Sequence, residues 1–211
     1  MTETVYQNTE DNFHSENTPG IDSLTYYKNP DNKLDGKTFL SYVSSDPEKA
    51  FELLVNLYRQ EIYDLCVRVS GDRTEAEDIS QETFIKAYER LDGFRGEAAP
   101  RTWLYRIAIN RSITFKRRLK RWQMKRGNDQ EIFPEDIGYS TASDEKMVVE
   151  KDLAAHAQKA LDKLPQRQKA AVILRVKKEM PYEEIANVMG ISVGGAKANV
   201  HQGIKKLRQW L

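Results

Sequence analysis

Lys197, Asn199, His201, Gln202, Lys205, Lys206 and Arg208 crowd a short stretch near the carboxy terminus, interleaved with Ala196, Val200, Ile204 and Leu207. Apolar residues at that spacing form one stripe of a helix and leave the polar and cationic set on the other face. Such side chains can reach phosphates and base edges. A second set, Trp103, Tyr105, Arg106 and Asn110, runs into Lys116, Arg117, Arg118 and Arg121. Rings beside cations offer stacking platforms and an electrostatic track, which is what a single nucleic-acid strand needs. Asn110 carries both a donor and an acceptor for a base edge. Plainer readings stand beside these: a solvated helix face for the first set, core rings and a soluble basic face for the second.

Bond-making chemistry has little to work with. His14, His156 and His201 are scattered, and neither a metal-ligand cluster nor a phosphate-loop motif occurs. The lone Cys66 excludes an internal disulfide; among Ile62, Leu65 and Val69 it reads as a small buried hydrophobe rather than a nucleophile. The chain is therefore expected to be no enzyme and to carry no cofactor or metal.

The elements that must position these residues are helices. Pro181 suits a helix start, Glu183 and Glu184 suit its dipole, and Ile185 and Met189 share a face. Gly190 stops that helix, Ile191 plugs the corner and Ser192 can cap the next. Helix, tight turn and cationic helix match the helix-turn-helix reader of duplex DNA; an ordinary helical hairpin is the alternative. Upstream, Asp46-Pro47 opens a helix to residue 70, with Phe51, Leu54, Leu57, Tyr58, Ile62, Leu65 and Val69 inward and Gly71 at its end. Thr74 and Glu77 form a capping-box pattern for the next helix. Its expected buried stripe is Ala76, Ile79, Thr83, Phe84, Ala87, Tyr88 and Leu91, with Glu75, Asp78, Gln81, Glu82 and Lys86 outside. After a Gly- and Pro-containing loop, residues 101–126 read as a long helix, with Leu104, Ile107 and Ala108 inward and Trp103, Tyr105, Arg106 and Asn110 partly exposed. A helix over 145–161 and a buried stripe of Ala170, Ala171, Ile173, Leu174 and Val176 precede the helix pair, and no strand pattern persists.

At 211 residues, 39% hydrophobic and 31% charged, the chain fits two small, thinly cored helical domains. The expected division is a disordered or loosely attached acidic leader (1–38), a first helical domain (39–126), a polar linker (127–145) and a second domain (146–211). The net charge of +1 hides segregation: residues 101–126 hold ten bases and no acid, and residues 1–36 hold seven acids against Lys28 and Lys33. No apolar run approaches the roughly 20 residues needed to span a bilayer. The polar, acidic amino terminus shows no secretion signal. Cytoplasmic location, without membrane insertion, is the default expectation.

The chain resembles the extracytoplasmic-function group of bacterial sigma factors over roughly residues 45–126 and 146–211. The resemblance rests on Ala76-Glu-Asp-Ile-Ser-Gln-Glu-Thr-Phe-Ile-Lys-Ala-Tyr88, Phe94-Arg-Gly-Glu97, Thr102-Trp-Leu-Tyr-Arg-Ile-Ala108, Leu161-Asp-Lys-Leu-Pro165 and Tyr182-Glu-Glu-Ile-Ala-Asn-Val-Met-Gly-Ile-Ser-Val-Gly194. It implies an all-α protein that binds core RNA polymerase, through the clamp helices of the largest subunit and the flap region, directs it to promoter DNA and helps open the duplex. It places Asp78, Gln81 and Glu82 at the polymerase. It places Trp103, Arg106 and Asn110 at the −10 element, with Lys116, Arg117, Arg118 and Arg121 on strand phosphates. It places Ser192, Lys197, Asn199, His201, Gln202, Lys205 and Lys206 at the −35 element. An anti-sigma factor, a partner common in this group, would occupy the same two domains. Gly195, where Thr or Ser is frequent, Asn199, where Arg is frequent, and Pro100 and Thr114 depart from the group's pattern and bear on which promoter is read. The competing functions are a stand-alone helix-turn-helix regulator, which leaves the first domain unexplained, and an enzyme of unknown class.

Overall fold

The computed structural model describes residues 34–126 and 155–210. Residues 1–33 of the expected leader, the whole expected linker, and the start of the helix expected over 145–161 lie outside the described residues. Every regular element among the described residues is helical. The order is α1 (Gly36–Ser45), α2 (Pro47–Ser70), α3 (Arg73–Tyr88), a 3-10 turn (Leu91–Gly93) and α4 (Pro100–Arg126). Then come α5 (helical residues 155–162), α6 (Gln166–Val176), α7 (Tyr182–Met189) and α8 (Val193–Trp210). No helix among the described residues is long and apolar enough to cross a membrane.

Local chemistry sets the boundaries. Asp46 accepts from Lys49 N at 3.1 Å and caps α2 ahead of Pro47. The cap of α3 is Asp72, which accepts from Glu75 N at 2.8 Å. The pattern at Thr74 and Glu77 is thus bypassed: an aspartate two residues earlier already satisfies an orphan N–H, so helix begins at Arg73. Pro181 is the capping residue of α7 rather than its first helical residue.

Three burial expectations are corrected. Tyr88 is 54% exposed and Val176 52% exposed, since each sits at the last turn of its helix, beyond the packed layer. Tyr105 is fully buried, because α4 is covered on two sides. α2 and α3 cover one side, α6 and α7 the other, and one apolar core runs from Leu34 to Val200.

Charge is buried where the halves meet. Lys169 on α6 has no exposed surface. Its Nζ lies 2.5 Å from Asp162 Oδ1, and Asp162 sits against Gly71 at the end of α2. Burial pushes the Lys169 pKa down, and the Asp162 carboxylate opposes that shift. Removing one partner of a fully buried pair costs about 3–5 kcal/mol. The Asp162 side chain is 39% exposed, so Asp162→Asn should cost about 2 kcal/mol, read as a lower urea midpoint at constant m-value. An unchanged midpoint would mean that the lysine is held without its charge.

Candidate functional site

α4 carries Trp103, Arg106 and Asn110 on one face, and the last turn of α3 with the residues beyond it stands opposite. Together Lys86, Arg90, Trp103, Arg106, Ile107, Asn110, Arg111 and Thr114 line an open groove of about 470 Å³. Arg106 and Asn110 are exposed, and Trp103 is half-buried. Phe94 fixes the Trp103 ring edge-on, with centroids 5.3 Å apart. Arg117, Arg118 and Arg121 are exposed and continue the stripe along α4. At about 1.5 Å per residue the stripe from Trp103 to Arg121 is roughly 27 Å long. Lys116 is set apart: it faces the other way and pairs with Glu75 Oε2 at 2.6 Å. The groove thus joins a stacking ring, an amide and a row of cations, a combination suited to a strand with one base turned out.

The second wall was not legible as a site. Lys86 and Arg90 face the groove, beside Arg111 of α4, only because α3 and α4 pack side by side, and no local pattern in the sequence announces that. Two of these cations are held by acids: Lys86 by Glu89, and Arg111 by Glu82 at 3.5 Å.

Outside the groove, Asp78, Gln81 and Glu82 are exposed along α3. Ile85, 57% exposed, and Tyr88 extend the same face at helical spacing. Phe51 supports the Tyr88 ring edge-on at 5.0 Å. This is a graded surface, acidic at one end and apolar at the other, of the kind that gives a partner both register and contact area.

The helix-turn-helix is built at Gly190, whose φ of +62° is the left-handed conformation glycine adopts freely. Ile191 N then donates back to Ala186 O at 3.1 Å. Ser192 Oγ accepts from Gly195 N at 3.1 Å and caps α8. Ala196 and Val200 are buried, while Lys197, His201, Gln202 and Lys205 are exposed. Three polar residues are partly engaged within the protein. Asn199 Nδ2 donates to Gly195 O at 2.8 Å, Gln202 Oε1 accepts from Gln168 Nε2 at 2.9 Å, and the Lys197 ammonium stands 5.7 Å over the Tyr182 ring. Lys206 is half-buried.

The two halves also meet through a partly buried acid. Glu61 Oε1 accepts from Arg101 Nη2 at 2.5 Å, from Tyr105 Oη at 2.6 Å and from Lys178 Nζ at 3.3 Å. Burial would raise its pKa, but the Arg101 and Tyr105 hydrogen bonds and the charges of Arg101 and Lys178 hold it down to about 2. Beside this cluster the turn at Gly190 faces Arg106, whose Nη2 would lie 3.9 Å from a Cβ at that glycine.

Comparison with known proteins matches both halves. The family description Sigma-70 region 2 fits residues 54–122, and Sigma-70, region 4 fits residues 157–207. The RNA polymerase sigma-H factor of Pseudomonas aeruginosa is 36% identical over 166 residues, covering 75% of this chain and 84% of that one. The ECF RNA polymerase sigma factor SigW of Bacillus subtilis is 33% identical over 182 residues, covering 83% and 96%. Among solved structures, the sigma factor RpoE in complex with the anti-sigma factor NepR, from Bartonella quintana, aligns with a TM-score of 0.59 at 23% identity, over 77% of this chain and 96% of that one. CnrH in complex with the cytosolic domain of CnrY aligns at 0.58 and 22%, over 82% and 95%. At these identities the two structures speak to fold alone.

Proposed function

The chain belongs to the extracytoplasmic-function (ECF) sigma factors, non-catalytic subunits that direct RNA polymerase to promoters, and from that premise we propose how its residues divide the work of initiation. The first unit, 39–126, docks on core polymerase and reads the −10 element. The second, 146–211, reads the −35 element and meets the flap region. Residues 127–145 join them, and initiation takes place in the cytoplasm.

Asp78, Gln81 and Glu82, with Ile85 and Tyr88 beside them, form the docking face for the clamp helices of the largest subunit. Exposed acids and an amide attract a basic partner, and the two apolar side chains supply area to desolvate. Asp78→Lys with Glu82→Lys should weaken binding to core polymerase at least about ten-fold; unchanged affinity in a titration would remove this face from the interface.

The groove on α4 holds an extruded −10 base, and Arg117, Arg118 and Arg121 follow the strand phosphates. The observation that carries this reading is the convergence of Trp103, Arg106 and Asn110 on one groove, with the exposed Arg117, Arg118 and Arg121 further along the same helix. Unstacking a base costs a few kcal/mol. Stacking of about 1–3 kcal/mol per base and phosphate neutralisation offset it, so opening needs no ATP.

α8 enters the major groove of the −35 duplex, with Lys197, His201, Gln202 and Lys205 outermost. Lys205→Ala with Lys206→Ala should flatten the plot of log affinity against log salt by about 0.9 per lost phosphate contact. An unchanged slope would place both lysines off the backbone.

Element centres near −10 and −35 are about 25 base pairs apart, roughly 85 Å at about 3.4 Å per pair. With Gly190 packed beside Arg106, the closed arrangement cannot reach both. Promoter engagement therefore separates the halves, with polymerase as the frame that holds them apart. An anti-sigma factor that favours the packed arrangement would silence the chain.

A further inference from the structure

We propose that α1 is a splint for the −10 groove: Gly36 and Phe39 are positioning residues that fix the loop after the 3-10 turn and, through Phe94, the face that Trp103 presents to the strand. The proposal rests on the groove being the −10 reader. α1 precedes the first residue of the region 2 match, at 54, and none of its residues lines the groove.

Two independent contacts tie α1 to the groove. The first is backbone against backbone. A Cβ on Gly36 would press into the carbonyl oxygens of Gly96 and Ala98, the latter 2.5 Å away. Gly96 in turn has φ +70° and sits on Gly36 O and the Leu40 side chain. The helix thus seats on the loop with no side chain between them. The second contact is a file of rings. Phe39, fully buried, meets Phe94 edge-on at 5.1 Å and 79°, and Phe94 meets Trp103 at 5.3 Å and 68°. Each such pair favours one relative orientation beyond what burial alone supplies. A stacking platform works only when its face is set before the base arrives, because disorder in the platform is charged against binding. Asp35 anchors the start of the splint by accepting from Lys37 N at 2.8 Å and Thr38 N at 3.1 Å.

Full-length chain in complex with core polymerase should be assayed on promoter DNA carrying permanganate-reactive thymines in the −10 element. Gly36→Ala and Phe39→Leu are each expected to lower open-complex formation about three- to ten-fold. Affinity for core polymerase and for −35 duplex should stay unchanged, and Lys37→Ala, an exposed substitution on the same helix, should behave as wild type. In the free chain carrying Trp122→Phe and Trp210→Phe, Trp103 is the one remaining tryptophan, and acrylamide quenching of its selectively excited emission should rise in both variants. Wild-type opening and quenching in folded Gly36→Ala and Phe39→Leu chains would overturn the proposal. So would a parallel fall in polymerase affinity and −35 binding, since that would make α1 a stability element only. Trp103→Ala separates the two levels: if it opens promoters normally, the groove reading fails; if it is defective while the α1 variants are not, only the splint fails.

Discussion

Trp103→Ala should cut open-complex formation about 5- to 150-fold while leaving closed-complex binding within about two-fold. The range is the about 1–3 kcal/mol that one base gains by stacking on an aromatic ring, converted at about 1.4 kcal/mol per factor of ten. The selectivity comes from geometry. Trp103 is half-buried against Phe94 and faces the groove, so it contributes once a strand is free to enter. Asn110→Ala should act in the same direction, because its exposed amide meets a base edge only after the base leaves the duplex. Permanganate footprinting for opening and mobility shift on duplex promoter for closed binding separate the steps. Equal loss in both would contradict the assignment, since the groove would then bind duplex.

Locking the two halves together should have the larger effect. Glu61→Cys and Lys178→Cys, bridged by a short bis-maleimide, hold the packed arrangement in place of the native ion pair at 3.3 Å. The natural Cys66 is fully buried and its thiol is pushed up to about 12 by burial, so it stays unlabelled. The bridged chain should lose promoter-dependent transcription about a hundred-fold or more, because elements roughly 85 Å apart cannot be met by units that touch. The same double variant capped with a single-ended maleimide should remain active. Full activity of the bridged chain would mean that promoter recognition takes place in the closed form.

The helices and their stops were legible because they are fixed locally. Asp46-Pro47, Gly71, Gly190 and Ser192 each act within a few residues of their own backbone. Sequence pattern and fold part company where a distant partner decides. Tyr105 fits the exposed aromatic set by spacing, yet Glu61 and the packing of the second half bury it. Lys116 continues a basic run, but helical rotation turns it toward Glu75. Lys86 and Arg90 look like surface charge until α3 lies beside α4. Asp72 overrode the capping box at Thr74 because either residue could cap and local spacing does not rank them. The groove was thus half readable: the wall on α4 from its pattern, the wall on α3 only from the fold.

The most direct measurement is transcription of fragmented genomic DNA by purified core polymerase with and without this chain, with every 5′ end mapped. The account predicts a discrete set of starts that depend on the chain and share two sequence elements centred near −10 and −35. Starts that are unchanged by adding the chain, or that share no upstream sequence, would contradict it.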